Sequence, residues 1–303
     1  MSLSRKNKER AKTLLANLPV LGPPVIAFLL KKRFPVEISL VEGKDPATSS
    51  EPSWMHFSVN KAATQYVKSV MASLAESKGL LHASMHDYAF HSELPFFDHL
   101  TAEQVAGYSQ VFKPQGYLYG PFGGMIEGIQ ELEKYKVVLV VRDPRDMAVS
   151  AYFSKGKSHG LPLTPAGKRE AFIRDRDKTQ NKSIEEHVLD YAPEVLREFD
   201  RYKEHLLQGN YQVHLCKYEQ MVTDFPQWLD DLVAFCCGEI DPSLRDEIIR
   251  RHEAMKPVKE DPSKHIRKGQ PGDYKEKLDQ PTIAKLNEIF KEHLEFFDYL
   301  DAK

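Results

Sequence analysis

The sequence predicts an α/β fold with a central parallel sheet, and two observations support it. Val137 to Val141 is an unbroken run of aliphatic, mostly β-branched residues, which suits a strand covered by helices on both faces. Two stretches, Trp54 to Met71 and Lys136 to Tyr152, read as strand, short turn and helix, the unit from which such sheets are wound. The chain is taken as one domain, with residues 1–50 a helical and loop lead-in and residues 54–303 the core.

In order, residues 1–35 read as a basic, helical lead-in. Val36 to Val41 alternates apolar and polar residues and predicts an edge strand. Residues 43–52 form a loop rich in Pro, Ser and Thr. Trp54 to Val59 is a short strand, and Gln65 to Ala75 is a helix with Tyr66, Val67, Val70, Met71 and Leu74 at helical spacing. His82 to Leu100 is dense in titratable side chains and reads as a loop and helix on the substrate side. Thr101 caps the next helix. Gly116 to Phe122 is a strand ending at Gly120-Pro121, and Glu127 to Tyr135 is helical. The central strand ends at Arg142, Pro144 breaks its ladder, and Asp146 is the N-cap of the helix that carries Ser150. The segment from Tyr152 to Lys182 is a basic loop over the site. Helices follow at Ile184–Leu206, Phe225–Cys237, Pro242–Met255 and Pro281–Leu300, with a strand at Tyr211–Cys216.

Composition narrows the chemistry. Acids number 44 and Lys plus Arg 42, so no global basic field points to nucleic acid, and any anion site is local. Of the three cysteines, Cys236 and Cys237 are adjacent. That is a poor start for a disulfide framework and points to a reducing, cytoplasmic setting. Pro24 to Leu30 is apolar but too short to span a bilayer. A short helix packed on the domain is its main reading, with peripheral membrane contact the lesser one. The acidic and histidine residues between His82 and Leu100 do not repeat a metal-ligand spacing such as HExxH, and no metal is expected.

Asn60 to Thr64 places small residues and Lys61 between a strand and a helix. Backbone N–H groups at such a helix start point at an anion, and the lysine adds a point charge. The turn has no glycine and is not a GxxxxGK[ST] loop. At the other turn a guanidinium from Arg142 offers a planar fork to phosphate oxygens, beside the Ser150 hydroxyl.

Arg142-Asp143-Pro144-Arg145-Asp146, then Val149-Ser150 and Tyr152, resembles the 3′-phosphate-binding segment of sulfotransferases that use 3′-phosphoadenosine 5′-phosphosulfate (PAPS). Asn60-Lys61-Ala62-Ala63-Thr64-Gln65-Tyr66 resembles that family's PKSGTTW loop, Tyr218-Glu219-Gln220-Met221 its YEDM, and Arg267-Lys268-Gly269-Gln270-Pro271-Gly272-Asp273-Tyr274 its RKGxxGDW. The resemblance implies a three-layer α/β/α, P-loop-NTPase-like fold with PAPS as co-substrate and adenosine 3′,5′-bisphosphate (PAP) as product. It implies that Lys61, Ala62, Ala63, Thr64, Gln65 and Tyr66 hold the 5′ side of the nucleotide. By the same match Arg142, Ser150, Arg267, Lys268 and Gly269 hold the 3′-phosphate, and Tyr218 and His252 lie by the base.

Sulfuryl transfer leaves negative charge on a phosphate oxygen, for which Lys61 is the expected partner. A base is also needed for the acceptor's proton. Cytosolic members of the family place a histidine where this chain has Tyr119-Gly120-Pro121. His91 and Glu93 are ranked first in its stead, with His86 and Asp87 as further candidates. The acceptor, whether carbohydrate, lipid or small metabolite, and the oligomeric state, with a homodimer allowed, stay open. Two other readings stand beside this one: a kinase-like phosphoryl-transfer enzyme, and a silent nucleotide-binding protein that has lost its base.

Overall fold

The computed structural model describes residues 22–157, 181–255 and 269–300. Its elements in order are α1 (Gly22–Arg33), α2 (Pro35–Val41), β1 (Trp54–Ser58), α3 (Thr64–Ser77), β2 (Leu81–Ala83), α4 (Met85–His91), α5 (Ala102–Ala106), β3 (Tyr117–Phe122) and β4 (Lys136–Val141). There follow α6 (Pro144–Lys157), α7 (Ile184–Tyr202), β5 (Val213–Lys217), α8 (Tyr218–Thr223), α9 (Phe225–Cys236), α10 (Pro242–Met255), α11 (Asp273–Lys277), α12 (Gln280–Ile289) and α13 (Lys291–Phe296).

The strands form one sheet in the order β2-β3-β1-β4-β5, and every pairing is parallel. Val137 to Val141 are fully buried, as are Met55 and Phe57 on β1 and Tyr117 to Tyr119 on β3. The core therefore lies on both faces of the sheet, as an aliphatic central strand demands. Helix α3 presents Val67, Val70, Met71 and Leu74 to it. Helix α7, with a Ser183–Glu186 capping box, presents Val188, Val195 and Phe199.

The chain leaves β1 toward the β2 edge and leaves β4 toward the β5 edge. Adjacent strands whose connections depart in opposite directions open a crevice at their carboxyl ends, where sheets of this class bind ligands. The Asn60–Thr64 turn and Arg142 both stand at that crevice.

Four expectations are corrected. Val36 to Val41 is helix α2 rather than an edge strand, because Pro35 takes the first helical position and Glu37 turns inward to accept the Ser84 N–H at 2.6 Å. Glu127 to Tyr135 is helical only as a 3₁₀ turn at Leu132–Lys134. Gly128 has φ +83°, and a Cβ there would lie 2.4 Å from the Ala102 carbonyl oxygen, so the chain must stay irregular at that point. The closing helix breaks at Phe290, a buried residue that ends α12 and starts α13. The cap of α6 is Asp143, which accepts the Arg145 N–H at 2.9 Å, and not Asp146. The expected capping by Thr101 is present, as a box with Gln104. The loop expected from Tyr152 to Lys182 falls largely outside the described residues.

Candidate active site

The turn after β1 is tight. Lys61 and Ala63 both adopt left-handed conformations, φ 68° and 57°, and Ala62 between them is fully buried. Such alternation turns successive backbone N–H groups to one side, which makes an anion-binding concavity at the start of α3. The hydroxyls of Ser58 and Thr64 hydrogen-bond across the turn at 2.9 Å. From the other side Glu198 of α7 accepts the Asn60 N–H at 2.8 Å and its side-chain amide at 3.3 Å. Burial, reinforced by Glu194 and Asp98, pushes the Glu198 carboxyl up to about 8 despite those two donors.

The second turn divides its charges. Arg142 Nη1 donates to the carbonyl oxygen of Lys61 at 2.9 Å, its guanidinium lies 4.2 Å from the Tyr218 ring centroid, and Nη2 stands 3.6 Å from Asp146. The Arg142 Nε is buried without a hydrogen-bond partner among the described residues. Asp146, fully buried, accepts the N–H groups of Gly272 at 2.8 Å and Tyr274 at 2.9 Å. It thereby fastens the Gly272–Tyr274 segment beside Arg142. Asp143 and Arg145 face the other way. They pair with each other, and Arg145 also bonds Asn287 and the Tyr299 carbonyl. Asp143 donates its backbone N–H to Glu219 at 3.0 Å. One charged pair thus serves the crevice and the other anchors the C-terminal helices.

Other candidates gather nearby. The Tyr66 hydroxyl and His252 Nδ1 are 2.9 Å apart, and the His252 ring stacks on Phe225 with centroids 3.8 Å apart and planes 2° from parallel. A cavity of about 260 Å³ opens beside Tyr66, lined also by Val70, Ile248, Arg251 and Met255. Ser150 is half-buried on α6, two turns in from Arg142. Gly269 has φ +63°, whereas Arg267 and Lys268 lie outside the described residues. The His91 ring is buried against Phe34 and Phe90, and Glu93 is exposed just beyond α4. Glu198 gave no signal in the sequence, since it lies in no motif and reaches the crevice only through the fold, whereas Asp98 belongs to the His82–Leu100 stretch read as the substrate side.

A family model described as a sulfotransferase domain matches residues 129–298, more than half of the chain. The chain belongs to the sulfotransferase family. The match contains Arg142, Ser150, Tyr218 and His252 and leaves the Asn60–Tyr66 turn outside it. Among solved structures, mouse sulfotransferase SULT7A1 complexed with PAP is similar at TM-score 0.55 and 17% identity, over 86% of this chain and 89% of that one. Sulfotransferase STF9 from Mycobacterium avium is similar at TM-score 0.50 and 11% identity, over 99% and 87% of the two chains. At such identities the likeness to other sulfotransferases is one of fold, and it agrees with the parallel sheet and flanking helices. No curated protein sequence matches the chain.

Proposed function

We propose that the protein transfers the sulfuryl group of PAPS to a hydroxyl or amine of a metabolite, lipid or carbohydrate acceptor, releasing PAP. The observation that carries this reading is the contact between Arg142 and the Lys61 carbonyl. It joins two anion-directed turns that are far apart in sequence at one crevice. The donor set suits a doubly phosphorylated nucleotide: a concave turn with a lysine, and a buried guanidinium whose Nε–H has no partner among the described residues. A buried donor left unmet costs about 1–3 kcal/mol, which a phosphate oxygen would recover. The mouse neighbour's bound PAP supports the same nucleotide here.

In this reading Lys61, Ala62, Ala63, Thr64 and Gln65 hold the 5′-phosphosulfate. Arg142 and Ser150, with Arg267, Lys268 and Gly269, hold the 3′-phosphate, and Tyr66, Tyr218 and His252 border the adenosine. PAPS supplies an activated sulfuryl group whose leaving oxygen is a phosphate. The ammonium of Lys61 stabilises the charge growing on that oxygen. The three free thiols support a reducing, cytoplasmic setting.

A thermal shift with PAP against ATP plus Mg²⁺, followed by transfer from ³⁵S-labelled PAPS into a metabolite extract, tests the reading. PAP stabilisation with label transfer is the expected result. Preference for ATP would favour the kinase-like reading, and PAP binding without transfer would make the protein a silent binder.

A further inference from the structure

Transfer to a neutral acceptor requires a group that removes its proton. Resting on the sulfotransfer reading above, we propose that His86 is this general base and that Asp98 is its positioning residue. His86 sits in the first turn of α4, at the carboxyl edge of the sheet beside β3. A Cβ on Gly123, just past β3, would lie 3.5 Å from Asn60 Oδ1 and 4.0 Å from His86 Cε1. The imidazole therefore faces the same small space as the residue before Lys61. Its Nδ1 stands 4.0 Å from Asp98 Oδ1, and no hydrogen bond occupies its Nε2 among the described residues.

Asp98 fits the role on a separate observation. The side chain is buried, yet Oδ1 has no hydrogen-bond partner among the described residues. An orphan carboxylate oxygen is costly unless a cation forms beside it, and His86 after proton uptake is that cation. The approach depends on Gly124, where a Cβ would fall 2.9 Å from Asp98 Oδ2. Arg201 fixes the arrangement by donating to the Asp98 carbonyl at 3.0 Å and to the Met125 carbonyl at 2.8 Å. Lys68 on α3 holds α4 through Asp87 at 2.5 Å. Three other histidines are held elsewhere: His82 Nε2 contacts the Gly120 carbonyl oxygen at 2.8 Å, His56 is buried in β1, and the His91 ring is buried against Phe34 and Phe90.

The step balances. The acceptor oxygen forms a bond to sulfur as its proton passes to His86 Nε2. The bond from sulfur to the bridging phosphate oxygen breaks, and that oxygen keeps the electron pair beside Lys61. Asp98 then faces the imidazolium.

The groups that set the titration of His86 are burial, which lowers it, Asp98 and Asp87, which raise it, and His99 and Lys68, which lower it. The base acts unprotonated, so transfer should rise with pH through its midpoint. His86→Gln should cut label transfer from PAPS into the metabolite extract about 100-fold or more, with an unchanged PAP thermal shift. Asp98→Asn should move the acid limb of the rate profile, and the midpoint of the His86 Cε1–H NMR resonance, to lower pH. Retained transfer in His86→Gln, or an unmoved midpoint in Asp98→Asn, would overturn the proposal. So would loss of the PAP shift together with transfer, which would make His86 part of the nucleotide site. A wild-type protein that transfers no label overturns the donor reading instead, and the NMR titration still judges the His86–Asp98 pair.

Discussion

Arg142, at the end of the central strand, hydrogen-bonds the backbone carbonyl of Lys61, a residue 81 positions earlier in the chain. The bond uses one N–H of the guanidinium, Nη2 stands toward Asp146, and Nε has no partner among the described residues. It also explains how a turn without glycine keeps its shape, since the carbonyl that a left-handed Lys61 turns aside finds a charged donor.

Arg142→Lys should therefore be harmful although charge is retained. An ammonium cannot reach the Lys61 carbonyl and a phosphate in one plane. PAP affinity should fall about 10- to 100-fold, the worth of one or two hydrogen bonds to a charged group. Arg142→Ala should in addition lower stability by about 3–5 kcal/mol, because Asp146 is left buried without its cation. Calorimetric titration with PAP and urea unfolding check the two parts.

Ala63 is the second place where the turn departs from easy geometry. A left-handed Ala carries a steric cost of about 1 kcal/mol that Gly does not. Ala63→Gly should raise stability by up to that amount, less the entropy Gly adds to the unfolded chain. Ala63→Val should lower it by more, since a β-branched residue tolerates this φ poorly. Urea midpoints for the three proteins decide the matter. No gain in Ala63→Gly would mean the turn is not strained.

The sheet was legible because burial on both faces writes itself as an aliphatic run, and the turns at Asn60–Thr64 and Arg142 were legible as turns because each follows directly on a strand. The misread elements failed for local reasons. In Val36 to Val41 a period-2 pattern coincided with a helical one, and Pro35 was the stronger signal. In Glu127 to Tyr135 a helix-forming composition was overruled by the approach of Gly128 to the Ala102 backbone. Asp146 looked like a cap because it sits near a helix start, but its carboxylate serves a segment 126 positions away. The Glu198–Asn60 relation could not be read at all, since it joins elements whose proximity is set only by the sheet order, whereas His86 and Asp98 share the His82–Leu100 stretch and only their pairing needed the fold.

Lys61→Ala should separate binding from turnover. If the ammonium meets charge that grows only during transfer, its loss should lower kcat about 100- to 1,000-fold, while PAP affinity falls far less. Rate measurements with labelled PAPS beside PAP titration give both numbers. An equal fall in the two would reduce Lys61 to a binding residue.

Glu198 gives the chain a pH dependence with a definite sign. Its carboxyl is raised from the ordinary 4.5 to about 8, chiefly by burial, so the folded protein holds a proton there that the unfolded chain has released. That stabilising difference is complete below about 4.5 and is lost as pH rises through the folded value near 8. Glu198→Gln removes the titration and should flatten the decline of Tm between pH 5 and pH 8.5, leaving the variant the more stable by at least about 1 kcal/mol at the upper end. The same charge bears on the ligand. Glu198 accepts from Asn60, next to the turn proposed above to hold the phosphosulfate, so under that proposal its ionisation places a carboxylate beside an anion. PAP affinity should weaken from pH 6.5 to 8.5 in the wild type and change less in Glu198→Gln, as read by calorimetry at the two pH values. Identical profiles for the two proteins would mean that Glu198 is already ionised at neutral pH and that Asn60 alone shields the anion from it.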